Sequence, residues 1–272
     1  MGITGDNFGD RMKEYEGMEA DRKLMPLLPI CVRLDGKGFS KFTMGLDRPY
    51  DKRMSKLMVE VTTRLVDDTN AIMGYTQSDE ISLILHSNAY KSQVWFNGRI
   101  QKMTSVLASM ATAHFGDLKK SLIPEKTDNL ALFDCRVWNV PNKTEASNTL
   151  LWREQDATKN SISMATRSVY SHKQMHLKSG QEMQDMLMEK GINWNDYPPF
   201  FKRGTFIQRK KEMKAFSAEE LDKLPEKHNA RKNPEMLIER SVIRVIPMPP
   251  FGRVINRNEV VFDGAKPTEL RD

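Results

Sequence analysis

Two carboxylates and a glycine-containing turn are the residues of this sequence best placed for chemistry. Residues 30–39 alternate apolar and polar side chains as far as Asp35, then continue into Gly36, Lys37 and Gly38. The alternation predicts a half-buried strand that ends on a carboxylate, and glycine lets the backbone approach a ligand closely. Such a strand end could hold Mg²⁺ and a nucleotide phosphate, although a strand followed by Asp-Gly is also a common turn.

A second pair of carboxylates follows in the chain. Apolar segments flank the sequence Gln77-Ser78-Asp79-Glu80, which predicts a β-hairpin with Asp79 and Glu80 at its tip. If the two strands are neighbours in one sheet, Asp35 and Asp79 lie at the same rim. Two carboxylates with a backbone oxygen form the ligand set that hard divalent cations prefer. Two-metal phosphoryl transfer uses such a layout, with ions about 3.5–4 Å apart.

Helices and a further strand must position these groups. Apolar residues at helical spacing predict one helix that begins after Asp51, a candidate N-cap, and ends near Asp68. A second helix is predicted over residues 94–114 and is expected to end at Gly116, and a strand is predicted over residues 132–140. This order of elements predicts an α+β fold, an antiparallel sheet with helices on one face.

The second half of the chain gives weaker signals. Residues 144–172 are predicted to be helical, and residues 202–214 form the most basic run of the protein. That run could follow a nucleic-acid backbone, or it could be a solvated edge strand. Residues 217–240 are expected to form a charged helix or lid, and the last thirty or so residues are expected to be extended and loop-like.

Composition limits the class of protein. The chain has 272 residues, a net charge of +6 and a pI of about 9.2, which favours an anionic partner without separating nucleotide from nucleic acid. The cysteines are Cys31 and Cys135, and the N-terminus has no secretory pattern, so reduced thiols in a cytoplasmic protein are expected. No apolar run approaches the ~20 residues of a membrane span.

The carboxylate motifs resemble those of the tRNA-histidine guanylyltransferase family, the 3′–5′ RNA polymerases. Residues 32–39 and 77–80 carry the resemblance, which extends over residues 10–210. Further segments match in the same order: Arg48-Pro49 with Asp51, Arg99 with Lys102, 133–137, 151–153 with Asp156 and Asn160, and 202–205.

The resemblance implies a fold and an assembly. The family's catalytic domain is similar to the palm of ordinary polymerases and to nucleotide cyclases. Residues 1–142 are therefore expected to form a palm-like catalytic domain. Residues 143–272 are expected to be an extension of helices and strands that packs on the palm and is a candidate for RNA binding. The family also implies a homo-oligomer, either a tetramer or a dimer.

The resemblance further implies roles for individual residues. The implied catalytic residues are Asp35, Asp79 and Glu80, and the implied ligands of two Mg²⁺ ions are Asp35, Gly36 and Asp79. Nucleotide binding is implied for Gly36, Lys37, Gly38, Phe39, Ser78 and Asp51. Contacts to triphosphate or to tRNA are implied for Arg48, Arg99, Lys102, Asn160, Lys202 and Arg203. These roles suit phosphoryl transfer, which depends mainly on positioning and charge neutralisation.

The implied reaction extends tRNA at its 5′ end. A tRNA 5′-monophosphate attacks the α-phosphate of ATP, which gives an adenylylated 5′ end and pyrophosphate. The 3′-hydroxyl of GTP or another nucleoside triphosphate then attacks the activated phosphate and expels AMP. An RNA that carries a 5′ triphosphate could skip the activation step.

One segment departs from the family pattern. Eukaryotic members carry His-Ile-Asn-Asn-Leu-Tyr-Asn where this chain has Thr158-Lys159-Asn160-Ser161-Ile162-Ser163-Met164. The histidine is replaced and only the first asparagine is kept, in a segment that bears on activation and on commitment to tRNA-histidine. The difference points to the guanylyltransferase-like branch, which is associated with template-dependent repair of truncated 5′ ends. The tRNA, the template dependence and the preferred nucleotide stay open.

Two other functions remain as alternatives. A nucleotide cyclase or signal-nucleotide synthase on the same palm would use Asp35 and Asp79 without tRNA, and the basic run at residues 202–214 argues against it. A non-catalytic RNA-binding protein is the second alternative. The complete set of carboxylates argues against that function, because buried carboxylates without a cation are costly.

Overall fold

The computed structural model describes residues 6–90, 94–233 and 235–270. Within these residues the strands form a six-stranded sheet in which every neighbouring pair is antiparallel. The strands are β1 (Ile30–Lys37), β2 (Met73–Gln77), β3 (Glu80–Leu85), β4 (Leu132–Asn139), β5 (Thr205–Ala215) and β6 (Leu237–Ile246). Their order across the sheet is β4-β1-β3-β2-β5-β6. The first and second halves of the chain therefore build one sheet.

The helices differ widely in length. The three longest are α3 (Lys52–Thr69), α4 (Ile100–Leu122) and α5 (Lys143–Arg167). The others described are α1 (Asp6–Ala20), α2 (Phe39–Phe42), α6 (His172–Met175), α7 (Gly180–Glu189), α8 (Pro199–Arg203), α9 (Ala218–Lys223), α10 (Asn229–Lys232) and α11 (Arg257–Phe262). In the described residues, no helix is both long enough and apolar enough to span a membrane.

One face of the sheet packs on α3 and α4. Val32 and Leu34 of β1 are fully buried in this core with Leu65 of α3 and Leu107 of α4. A Cβ atom at Gly74 of β2 would lie 2.6 Å from a Val66 methyl group, so the helix can pack closely here only because this residue is glycine. The predicted α+β fold, an antiparallel sheet with helices on one face, is confirmed for this part of the chain.

The opposite face of the sheet packs on the second half of the chain. Cys31 and Tyr75 contribute to this core. They are buried with Leu150 of α5, Val260 of α11 and Phe251, which lies before α11. Successive residues of β1 therefore enter two different cores. The polar residues Arg33 and Asp35 point to the α5 side, because side chains on a strand alternate between faces.

Two predicted element boundaries were wrong. The second long helix begins at Ile100 and continues through Gly116 to Leu122, just before Pro124. A glycine inside a helix costs only about 1 kcal/mol relative to alanine. Burial of Phe115 and of other residues on the inner face of α4 outweighs that cost.

The C-terminal third differs more from the prediction. Residues 217–240 contain the short helices α9 and α10 and the start of β6, rather than one charged helix. The last thirty or so residues include the rest of β6 and α11, so they are not simply loop-like. In strand order β5 lies between β2 and β6, but β2 pairs only with Thr205–Gln208, so the basic residues from Arg209 to Lys214 pair with β6 alone.

Candidate active site

The end of β1 and the tip of the β2–β3 hairpin meet, as the sequence predicts. The Gly36 N–H donates to the Asp79 backbone carbonyl at 3.1 Å. Asp35 lies directly opposite Glu80 in the β1–β3 register. Ser78 has a left-handed φ of 54° in the two-residue turn that carries Asp79. The antiparallel register therefore brings the carboxylates of β1, of the turn and of β3 to one rim of the sheet.

Asp35 and Asp79 carry negative charge that side-chain cations do not balance. In the described part of the chain neither carboxylate forms an ion pair within 4.0 Å. The pKa of Asp79 is raised, first because the side chain is buried. The nearby Asp35 charge adds to this rise, and the hydrogen bond with the Ser78 hydroxyl opposes it. The described residues contain no group of three His, Cys, Asp or Glu side chains that could hold a metal. Two carboxylates beside backbone carbonyls nevertheless fit a divalent cation.

Glu80 has a different environment. Its carboxylate accepts a bidentate pair of hydrogen bonds from Arg153 of α5, at 2.5 Å from Nε and 2.7 Å from Nη2. Arg153 also donates to Asp156 at 3.0 Å. Burial raises the pKa of Glu80, and the hydrogen bonds and charge of Arg153 oppose that effect. Both Glu80 oxygens are held by a cation, so its carboxylate suits a supporting role.

A cavity of about 530 Å³ opens beside Asp79. Cavities of about 300–1,000 Å³ are typical of small-molecule sites. The turn after β1, the hairpin tip, the loop before α3 and the ends of α5 and α8 surround it. The predicted site residues that line it are Gly36, Gly38, Phe39, Arg48, Asp51, Ser78 and Asp79.

Two of these lining residues have structural contacts that the sequence did not reveal. Phe39 is 3% exposed and packs against Phe42, Phe115 and Phe133 in the apolar core. Asp51 caps α3 by accepting from the Arg53 backbone N–H at 2.8 Å, and it also pairs with the Arg53 guanidinium.

The other predicted residues, including Asp35 and Glu80, lie outside the cavity lining. Lys37 is exposed at the end of β1, and Asn160 is exposed on α5. Arg99 precedes α4, where the Lys102 ammonium lies 4.9 Å from the Phe96 ring centroid.

The two predicted basic residues of α8 also contact the protein itself. The Lys202 ammonium lies 5.4 Å from the Trp194 ring centroid, and the Arg203 carbonyl accepts from the Tyr75 hydroxyl at 2.9 Å. Neither residue lines the cavity beside Asp79.

Several residues of the cavity wall were missed from the sequence. Met164, Arg167 and Ser168 of α5 line the cavity, as do Tyr50 and Phe200. Met164 and Arg167 follow Asn160 at the i+4 and i+7 positions of a helix, so the spacing could have indicated a shared face. Tyr50 and Phe200 carry no comparable local signal, because their rings meet only in the folded chain, at 5.2 Å between centroids.

The basic run of β5 is largely neutralised within the protein. Lys211 pairs with Glu239 at 2.7 Å, and Glu212 pairs with Arg244 at 2.8 Å and Lys214 at 3.7 Å. Arg209 donates to backbone carbonyls at the end of α3. This run therefore presents less free positive charge than its composition suggests.

Comparison with known proteins identifies the family. The family model described as tRNAHis guanylyltransferase matches residues 9–141. The tRNA(His) guanylyltransferase of Saccharomyces cerevisiae is 31% identical over 208 residues, which cover 70% of this chain and 86% of the yeast protein. The chain belongs to the tRNAHis guanylyltransferase family. It is therefore a nucleotidyltransferase.

Other relatives extend the likeness. An uncharacterised protein of Acanthamoeba polyphaga mimivirus is 30% identical over 230 residues, 76% of this chain and 78% of that protein. A bacterial tRNA(His) guanylyltransferase-like protein in complex with ATP has a TM-score of 0.70 and 41% identity, covering 75% of this chain and 87% of that one. A bacterial tRNA(His) guanylyltransferase-like protein in complex with GTP has a TM-score of 0.69 and 32% identity, covering 91% and 94%. The second alignment extends the likeness beyond the 10–210 range found from motifs.

Proposed function

We propose that this chain adds nucleotides in the 3′–5′ direction to the 5′ end of tRNA. The observation that carries the proposal is the meeting of Asp35 and Asp79, two carboxylates without an ion-pair partner in the described chain, where Asp79 lines a cavity of about 530 Å³. The names of the curated relatives, tRNA(His) guanylyltransferases, support the same reaction. The 5′ monophosphate of tRNA would be activated by ATP and then attacked by the 3′-hydroxyl of GTP or another nucleoside triphosphate.

Asp35 and Asp79, with the Gly36 carbonyl, would hold two Mg²⁺ ions. The donor set suits this role, because it consists of hard oxygen ligands from two adjacent strands. Bound Mg²⁺ would neutralise charge that develops on the transferring phosphate. Glu80 would stay fixed by Arg153 next to Asp35. Catalysis would then depend on positioning and charge rather than on a covalent intermediate with the protein.

The cavity would receive the nucleoside triphosphate. Bacterial relatives are recorded in complex with ATP and with GTP, which supports both as substrates here. Gly38 has a φ of 70° at the start of α2 and leaves the turn after β1 open to a ligand. Arg48 and Arg167 supply positive charge to the same cavity and would contact phosphate oxygens. Ser78 lies at the rim, beside Asp79.

The guanylyltransferase-like branch is the better fit for this chain. Bacterial guanylyltransferase-like proteins are 41% and 32% identical to it in the structural alignments, against 29% for the Saccharomyces cerevisiae enzyme. Thr158 stands where the eukaryotic motif has its histidine. We propose repair of truncated tRNA 5′ ends, with addition of a single G to tRNA-histidine as the alternative.

The same proposal covers domain division, assembly and location. Residues 1–142 would form the palm-like catalytic part and residues 143–272 the extension that contacts RNA, with β5 and β6 of the extension completing the sheet. A cytoplasmic homo-oligomer, a tetramer or dimer, is proposed for the working enzyme. The apolar side chains of α1 support self-association, because Phe8 is 58% exposed and Tyr15 is 56% exposed. Light scattering on the purified protein would determine its mass.

A 5′-end extension assay tests the function. The purified protein is given Mg²⁺, ATP and labelled GTP with a 5′-monophosphorylated tRNA that lacks its first nucleotide. A full-length tRNA-histidine without the extra G is offered in parallel. Extension at the 5′ end that disappears in Asp79→Asn establishes the reaction. The ratio between the two substrates separates repair from maturation of tRNA-histidine.

A matched control accompanies Asp79→Asn. Asp117→Asn removes one carboxylate from an exposed ion pair with Arg64 at 3.2 Å on the surface of α3 and α4. Exposed pairs contribute at most about 1 kcal/mol to stability, so this variant should extend tRNA at the wild-type rate. Release of pyrophosphate from a nucleoside triphosphate alone, with neither tRNA extended, would contradict the proposal and favour a cyclase.

A further inference from the structure

A half-exposed indole lies on the polar face of the sheet near the carboxylates. Trp152 of α5 is 50% exposed and is the most exposed of the four tryptophans. The Arg153 Cζ lies 4.5 Å from the centroid of its ring, and the Arg33 Cζ lies 5.7 Å from it. We call Trp152, Arg33 and Arg136 the indole platform. A large aromatic surface open to solvent and flanked by guanidinium groups is suited to stacking on a planar ligand.

The sheet register places the indole platform beside the reaction site. Arg33 lies two residues before Asp35 on β1, and same-face neighbours on a strand are about 7 Å apart. Arg136 of β4 lies directly opposite Arg33. Arg153 connects the platform to the site, because it contacts Trp152 and holds Glu80.

The indole platform also carries positive charge that ion pairs within the described residues balance only in part. Among the described residues, the Arg33 side chain has no ion pair, and its buried Nε atom has no hydrogen-bond partner. The Arg136 side chain is 54% exposed, and within the described residues its one ion pair is with Asp134, at 3.5 Å. Arg153, in contrast, is compensated by Glu80 and Asp156. A ligand for this surface should therefore combine an aromatic ring with negative charge, as a nucleotide of RNA does.

The indole platform and the cavity are separate surfaces. Trp152, Arg33 and Arg136 are absent from the lining of the cavity beside Asp79. The hairpin tip and the turn after β1 line the cavity, whereas the platform lies on the sheet face that carries Asp35 and Glu80. The carboxylates are therefore flanked by two surfaces. A transfer reaction between a nucleoside triphosphate and an RNA end needs one surface for each substrate.

We propose that Trp152 stacks on the 5′-terminal nucleobase of the RNA substrate, while Arg33 and Arg136 contact its phosphate backbone. This inference rests on the proposed function. Every nucleobase has a π-face, so stacking holds an RNA end in place without selecting its sequence. Trp152 would thus be a positioning residue for 5′ ends of differing first nucleotide, as repair of truncated ends requires.

Steady-state kinetics of Trp152 variants test the proposal. Stacking energies measured by alanine substitution predict that Trp152→Ala raises the KM for truncated tRNA on the order of 5- to 100-fold. The KM values for ATP and GTP should not change, because those nucleotides occupy the cavity. Trp152→Phe keeps a stacking ring and should retain most of the affinity. Tyr90→Ala serves as the control, because Tyr90 is 78% exposed beyond the far end of β3.

A modified RNA tests the same contact in the wild-type protein, so the result does not depend on whether a variant folds. A truncated tRNA with an abasic 5′-terminal nucleotide should bind wild-type protein as weakly as intact tRNA binds Trp152→Ala. The abasic change should then cause no further loss in Trp152→Ala. Equal losses in both proteins would overturn the proposal, as would a raised KM for GTP with an unchanged KM for tRNA. A wild-type protein that extends no tRNA would instead refute the proposed function.

Discussion

At the scale of single residues, the carboxylates of the candidate site differ in whether a cationic side chain binds them. Asp35 and Asp79 lack cationic partners in the described chain, whereas Glu80 is clamped by Arg153. A carboxylate held in a bidentate pair keeps its geometry but offers little lone-pair capacity to a metal. The difference assigns cation binding to the first two residues and orientation of the site to the Glu80–Arg153 pair.

Replacement of Arg153 tests this division of roles. We expect Arg153→Lys to lower kcat for nucleotide addition by about 10- to 100-fold, as is typical for residues that orient metal ligands. The KM for ATP should stay unchanged, because Arg153 does not line the cavity. Arg153 lowers the pKa of Glu80 first through its hydrogen bonds, and lysine cannot make the same bidentate pair, so Arg153→Lys should move the acid limb of the pH–rate profile to higher pH.

The pH–rate profile distinguishes positioning from simple destabilisation. A variant that is only less stable would lose activity equally at every pH at which it stays folded. Arg64→Lys, in an exposed ion pair with Asp117, is the control and should keep the wild-type profile. An Arg153→Lys profile that coincides with the wild-type curve after scaling would contradict the positioning role.

The sequence predicted the carboxylates of the site better than its cationic residues. Asp35 and Asp79 are located by strand ends and a tight hairpin, which are local features. Arg153 reaches Glu80 across 73 residues of sequence, and no periodicity encodes that distance. Lys202 and Arg203 were assigned to phosphate or tRNA contacts from their charge and the family resemblance, yet they contact Trp194 and Tyr75 of the same chain. Composition counts charges, whereas the fold determines which of them are already paired.

At the scale of elements, the N-terminus of α3 forms one wall of the cavity. Asp51 is 5% exposed and accepts hydrogen bonds from the backbone and guanidinium of Arg53. Arg53 also pairs with Glu125 at 2.7 Å. Arg53 lowers the pKa of Asp51, mainly through the side-chain hydrogen bond. This contribution to stability is present above the ordinary Asp pKa and is lost as the pH falls through the lowered value.

Substitution of Asp51 separates a helix cap from a nucleotide ligand. Loss of an N-cap costs about 0.5–2 kcal/mol, so Asp51→Ala should lower the free energy of urea unfolding by that amount at neutral pH. Asp47→Ala changes an exposed carboxylate in the same loop and keeps the Asp47 backbone N–H that contacts Asp51, so it should leave the free energy of unfolding nearly unchanged. Unchanged stability together with a raised KM for ATP would instead support the nucleotide-binding role implied by the family resemblance.

The helix α3 was predicted well because its sequence pattern lies within one segment, whereas the strand β6 was not predicted because it depends on pairing with a distant strand. The apolar stripe and cap of α3 lie within one segment of the chain, so its position follows from spacing. In contrast, β6 is a strand because it pairs with β5 over ten residues, although half of its residues are exposed and the rest are only partly buried. Because charged side chains lie on both faces of β6, its sequence lacks the alternation of apolar and polar residues that predicts a strand. Its partner begins more than thirty residues earlier in the chain.

At the scale of the whole molecule, Glu154 ties the C-terminal segment to the centre of the fold. Its two oxygens accept from the Phe251 backbone N–H at 2.8 and 3.0 Å, in the core between α5 and the sheet. Burial raises the pKa of Glu154 from 4.5 to about 7, against the opposing effects of the Phe251 hydrogen bond and the Arg203 charge. The hydrogen bond between the Phe251 N–H and the Glu154 carboxyl group is therefore sensitive to pH.

The raised pKa determines how stability should change with pH. An unfolded chain releases the Glu154 proton near 4.5 and the folded chain near 7, so the contribution of this residue is complete below 4.5 and lost as the pH rises through 7. Glu154→Gln keeps a hydrogen-bond acceptor and cannot ionise. Urea unfolding of both proteins at several pH values isolates Glu154 from the other titrating groups. The wild-type free energy of unfolding should fall relative to the variant by at most about 1.4 kcal/mol per pH unit across that window. A difference that stays constant would mean that Glu154 is ionised throughout, with Arg203 as its dominant partner.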